Sequence, residues 1–139
     1  MKKSHIFLVT ALILVLISAV FVSSAAAKKD AFSGTWYSTD QDGSNQTLQI
    51  TGGGGDLRHV KYYDDAASVC GVDPGPPPVI LYAARAKGSL EVSGNTLSGS
   101  LPVYCLTIPP TFYQDVGFSF TYDPLTDTLT DGHTIVWYR

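Results

Sequence analysis

Past residue 30, apolar residues nowhere recur at helical spacing for more than one turn, and Gly or Pro interrupts every long segment. That absence argues against an α-helical or α/β domain. The motifs of common enzymes are missing too: there is no Gly-x-Ser-x-Gly for acyl transfer, no His-Glu-x-x-His for zinc and no phosphate-binding loop. The run GGGG at 52–55 leads into a strand-like segment instead of a helix, so it reads as a flexible turn. No catalytic residue is singled out and no cofactor is called for. Cysteine is scarce, with only Cys70 and Cys105 in the chain. A zinc site built on two thiolates needs further Cys or His ligands, and beyond the first 27 residues only His59 and His133 remain.

The chain begins MKKSHIFLVTALILVLISAVFVSSAAAKKD. Two lysines, an apolar run from Ile6 to Val22 and the small residues Ala25, Ala26 and Ala27 have the three-part layout of a secretory signal peptide, with cleavage expected after Ala27. The run falls just short of the roughly 18 residues that favour a membrane span, so an uncleaved tether is the alternative. No cysteine stands in the small-residue tract to carry a lipid anchor. Residues 28–139 are then long enough for one domain with a single core. Taking Lys2 and Lys3 from the nine basic residues leaves seven against 12 acidic ones, a formal charge of −5. Nucleic acid and anionic membrane need a basic patch, so neither is an expected partner, and the oligomeric state is left open.

Both cysteines lie in the exported part, where the compartment permits oxidation. Pairing them closes a loop of about 35 residues, worth roughly 3 to 4 kcal/mol on the chain-entropy estimate.

Alternating, β-branched and aromatic segments fill the rest, at about 34–40, 46–51, 57–64, 79–92, 96–107, 116–123, 126–131 and 134–139. The clearest period of two places Ile80, Tyr82, Ala84, Ala86, Gly88, Leu90 and Val92 on one face, with Arg85, Lys87, Ser89 and Glu91 on the other. The turn at 93–95 reverses the chain, and Leu97, Gly99, Leu101, Val103 and Cys105 carry the apolar face back. Short turns between successive strands predict an all-β, eight-stranded antiparallel up-and-down meander, and closing it into a small barrel removes both sheet edges. Such a barrel is either filled by side chains or holds one small ligand.

The meander sorts its connections into two ends. Compact turns at 52–55, 93–95 and 123–126 form one end. The other gathers 41–45, the long DAASVCGVDPGPPP at 65–78, PPTFYQD at 109–115 and DGH at 131–133, and function more often lives on such loops. Trp36 near the start of the first strand and Arg139 at the finish of the eighth then meet at the compact end, where a guanidinium over an indole contributes about 0.5 to 2 kcal/mol.

Gly34-Thr35-Trp36 opening the meander and IVWYR closing it resemble the calycin superfamily of lipocalins, avidins and fatty-acid-binding proteins. In that superfamily an early Trp packs with a basic residue from near the end of the barrel, which implies that Trp36 plugs the closed end beneath Arg139. Unlike most lipocalins, the sequence shows no helix after the barrel. STDQDGSNQTLQI and YYDDAASVCG also resemble secreted bacterial proteins, a likeness that carries no activity.

The leading functional expectation is a small apolar or aromatic ligand bound at the open end. Its candidate contacts are Tyr62, Tyr82, Tyr113, Phe118, Phe120 and Tyr122, with Tyr63, Tyr104 and Phe112 as further aromatics; core packing is the competing role for all of them. Asp40-Gln41-Asp42-Gly43 supplies half of a calcium loop but lacks the distal Glu, and a hairpin turn is the simpler expectation. Asp64, Asp65, Asp115, Asp131 and His133 are expected near the open end, where a carboxylate pair would be the signature of a small glycoside hydrolase. The stiff DPGPPP segment at 73–78 suits the alternative of an extracellular interaction protein with a filled barrel.

Overall fold

The computed structural model describes residues 30–72 and 80–139. Residues 1–27, expected from the sequence to be a signal peptide, and the DPGPPP segment lie outside the described residues. Eight strands follow one another as β1 (Gly34–Thr39), β2 (Asn45–Gly52), β3 (Leu57–Val72), β4 (Ile80–Ser93), β5 (Thr96–Cys105), β6 (Thr111–Asp123), β7 (Thr128–Asp131) and β8 (Val136–Trp137). Each pairs antiparallel with its sequence neighbour, in the order β1 to β8. Tyr37 and Tyr138 bridge β1 to the residue after β8, exchanging backbone hydrogen bonds of 2.7 and 2.9 Å. The meander is thus a nearly closed barrel, an architecture compatible with a calycin-like fold.

The period of two places alternate side chains inside. On β4, Ala84, Ala86 and Leu90 are buried while Arg85, Lys87, Ser89 and Glu91 face solvent, and on β5 Leu97, Leu101, Val103 and Cys105 point inward. At the closed end Trp36, Leu48, Ile50, Val60, Leu90, Leu97, Leu101 and Leu129 are almost wholly buried. Glycine makes that density possible. A Cβ on Gly88 would stand 2.7 Å from Leu101 Cδ2, and one on Gly99 would stand 3.0 Å from Leu90 Cδ2. Gly99 also has φ +154°, which a side chain disfavours.

Arg139 covers this end. Its guanidinium lies 4.3 Å from the Trp36 ring centroid, Nε donates to Asp127 Oδ2 at 3.0 Å, Nη2 pairs with Asp127 Oδ1, and Nη1 donates to the carbonyls of Ala31 and Ser33. Beneath it the Trp36 indole donates to the Phe32 carbonyl at 2.8 Å.

Two strands extend five or more residues beyond the sequence pattern. β3 continues from 64 to Val72 through register shifts between Asp64 and Ala67 and between Ala67 and Val72. Bulges add residues to one strand only, so they break the alternation by which a strand is recognised. β6 starts at Thr111 instead of 116, with a shift where Val103 faces Gln114 but Tyr104 faces Phe112, leaving Tyr113 as the extra residue. β8 keeps only Val136 and Trp137 of the expected 134–139. The extension of β3 carries Cys70 to Cys105 of β5, and the two form a disulfide with a Cα separation of 5.4 Å.

Candidate functional site

The open half of the barrel holds a cavity of about 460 Å³. It exists because the wall there is built from small residues, Ala67, Ala84, Val103, Val116 and Gly117, where the closed half carries leucines. Its volume lies within the range of roughly 300 to 1,000 Å³ usual for small-molecule sites.

Aromatic rings supply its largest side chains. Tyr62 packs against Phe118 at 5.3 Å and Trp137 at 6.2 Å between centroids, and Phe120 meets Trp137 edge-on at 5.7 Å. These come from β3, β6 and β8; β6 and β8 flank β7, whereas β3 stands three or more strands away along the sheet and meets them across the barrel interior. Tyr113 joins them at the mouth, where the β6 bulge turns its ring away from the Tyr104–Phe112 pair outside.

A buried polar group stands among these rings. Gln46 Nε2 donates to the Tyr62 hydroxyl at 3.0 Å and lies 3.4 Å from Asp64 Oδ2; the Tyr62 hydroxyl donates to the same oxygen at 3.1 Å. Asp64 Oδ1 accepts from the Ala66 amide at 3.1 Å and so holds the β3 bulge. Only 3% of Asp64 is exposed. All of these partners are neutral donors. Burial pushes the Tyr62 phenol well above its ordinary value, and the Asp64 charge and hydrogen bond, then the charges of Asp40 and Asp131, push it further. Asp131 Oδ1 accepts from the amides of His133 and Ile135 while its Oδ2 accepts from the Trp137 indole at 3.3 Å, so one carboxylate shapes the β7–β8 turn and orients a wall ring.

The structure sorts the aromatics and acids singled out from the sequence. Tyr62, Tyr113, Phe118 and Phe120 line the cavity, and so do Asp64, Asp131 and His133. Tyr122 stands at the opposite end, edge-on to Trp36 at 6.4 Å and hydrogen-bonded to Asp127. Tyr82 pairs with Ala67 where the β3–β4 register shifts and is not part of the cavity wall. Tyr63, Tyr104 and Phe112 are exposed. Asp65 leaves the site to bind Asn45 through its amide and side chain at 2.8 and 2.9 Å, and Asp115 is exposed beside Pro102. Asp40, Asp42 and Gly43 form a hydrogen-bonded hairpin turn, with Ser44 N donating to Asp42 Oδ1 at 3.0 Å. Among the described residues no cluster of three metal-ligating side chains occurs.

Trp137 and Gln46 are wall residues that pattern reasoning did not select. The signal for Trp137 was present in IVWYR, since alternation from the exposed Val136 turns its neighbour inward. Protein-family models give no match to the chain, and neither the curated proteins nor the solved structures contain a protein that matches it.

Proposed function

We propose that this chain is an exported binding protein that holds one small, largely aromatic or apolar ligand in the open half of its barrel. The observation that carries the proposal is the contrast inside one barrel: leucines fill the closed half, while small residues and five rings leave about 460 Å³ in the other. The Cys70–Cys105 disulfide beside the mouth agrees with an oxidising extracytoplasmic compartment, and the leader-like residues 1–27 support export. An interaction surface is the rival reading, and it would rest on the exposed Ile108, Phe112 and Tyr104 near the same end.

Native mass spectrometry of protein taken from its own source tests the proposal, paired with Ala84→Trp to fill the cavity. A retained small-molecule mass that disappears in the folded variant is the expected result. A wild-type protein that retains no added mass and binds no apolar dye would overturn it.

A further inference from the structure

The charge of the cavity wall has one sign. Among the described residues Asp40, Asp64 and Asp131 line it and no lysine or arginine does; His133, Tyr62 and Tyr113 are the other ionisable groups that these residues place there. The strong cations of the described residues are spent elsewhere. Arg58 pairs with Asp30 and Arg139 with Asp127, both at the closed end, while Lys61, Arg85 and Lys87 face outward from β3 and β4.

Asp64 is the member of this set most removed from water, and among the described residues no cation pairs with it. Its hydrogen bonds come from a phenol, an amide side chain and a backbone N–H, none of which neutralises a charge. A buried carboxylate held this way leaves a negative potential in the cavity it borders. Tyr62, Phe118, Phe120 and Trp137 border the same space, and an aromatic face carries the negative side of its quadrupole. An inorganic cation needs several oxygens converging within about 2.0 to 2.6 Å of one point, and no such cluster occurs among the described residues. Carboxylates dispersed around an aromatic-walled space suit a larger, weakly hydrated cation.

Resting on the binding function proposed above, we infer that the ligand is an organic cation, an aryl or alkyl ammonium whose charged head lies between the Asp64 side of the cavity and the aromatic rings. The carboxylate attracts the charge, the rings contribute cation–π contacts, and the small-residue wall receives the apolar body. A neutral ligand of the same shape gains only the last of these.

Phenyltrimethylammonium and tert-butylbenzene have nearly the same shape and differ by one charge, and benzenesulfonate supplies the opposite sign. Titration of the mature protein with each, followed by the Trp137 indole N–H resonance with that of Trp36 as internal control, reads the preference directly. The ammonium is expected to bind about tenfold or more tightly than the neutral isostere, with benzenesulfonate weakest. Asp64→Asn, which keeps an oxygen for the Ala66 amide, should bring the ratio close to one. Asp40→Asn at the rim should lower it less. Equal or tighter binding of tert-butylbenzene, or preference for the sulfonate, overturns the inference and leaves the cavity reading standing. Failure of all three to move the Trp137 resonance overturns both. The wild-type comparison decides the matter even where Asp64→Asn does not fold.

Discussion

The Arg139 guanidinium carbon stands 4.3 Å from the centroid of the Trp36 ring. One of these residues follows β8 and the other lies in β1, so their contact ties the two ends of the meander together at the closed end. Trp36→Ala should cost about 3 to 5 kcal/mol, a large part of the roughly 5 to 15 kcal/mol that holds a domain folded. Arg139→Ala should cost less, about 1 to 3 kcal/mol, since the cation–π contact and the bonds to Asp127 are lost beside solvent. The two losses should be less than additive in a double-mutant cycle of urea unfolding; additivity would show that the contact carries no energy.

Reduction of the Cys70–Cys105 bond, or its replacement by two serines, should lower stability by about 3 to 4 kcal/mol through the freer unfolded chain. Unfolding with and without reductant measures the difference. The serine pair should show no further response to reductant.

Acid should weaken the fold. Burial raises the Asp30 carboxyl, but the Ser33 hydroxyl, the Phe32 amide and the Arg58 contact outweigh it and hold the group below its ordinary value. A carboxyl depressed in the folded state stabilises above its unfolded value of about 3.9, and that contribution is lost as pH falls through the folded value. Asp42, held down by the Ser44 amide and hydroxyl, and Asp123, held down by the Leu125 amide and Thr126, act in the same direction. The melting temperature should therefore fall below about pH 4, and Asp30→Asn should flatten that decline.

Thr134 occupies the left-handed region at φ 67° in the turn beside His133. A β-branched residue is strained there by about 1 to 2 kcal/mol, and glycine returns part of the gain through its looser unfolded state. Thr134→Gly should raise stability by less than about 1 kcal/mol, read as a small increase in melting temperature. A decrease would mean the turn carries no strain.

The two halves of the barrel should respond oppositely to added volume. Gly99→Ala meets both a positive φ and the Leu90 methyl, and should cost about 1 to 3 kcal/mol. Ala84→Val, beside the cavity, should be nearly neutral for stability while weakening ligand binding. Equal losses would contradict the filled and unfilled division.

Where alternation was unbroken, as from Tyr82 to Val92, the sequence pattern and the strand agree in face and length. Where a bulge adds a residue, as after Asp64 and at Tyr113, the pattern lost the strand although the backbone continued it. Among the candidate contacts, Phe118, Phe120 and Tyr122 share a face by parity, yet only the first two border the cavity. Parity sets the side of a strand and says nothing of height: four residues from Phe118 to Tyr122 carry the ring about 13 Å along it, down to Trp36. The carboxylates could be gathered on one end from loop order, but the partners of Asp64 depend on which strands stand side by side.

Every strand pairs with its sequence neighbour except at the bridge between Tyr37 and Tyr138. That arrangement gives the folding reaction an order in time. Seven hairpin contacts form from nearby stretches of chain, whereas closure brings together residues about a hundred positions apart. Until β8 has docked, the indole of Trp36 therefore lacks its Arg139 cover. A chain in which Tyr37 and Tyr138 have not yet met leaves both ends of the sheet free to pair with another molecule.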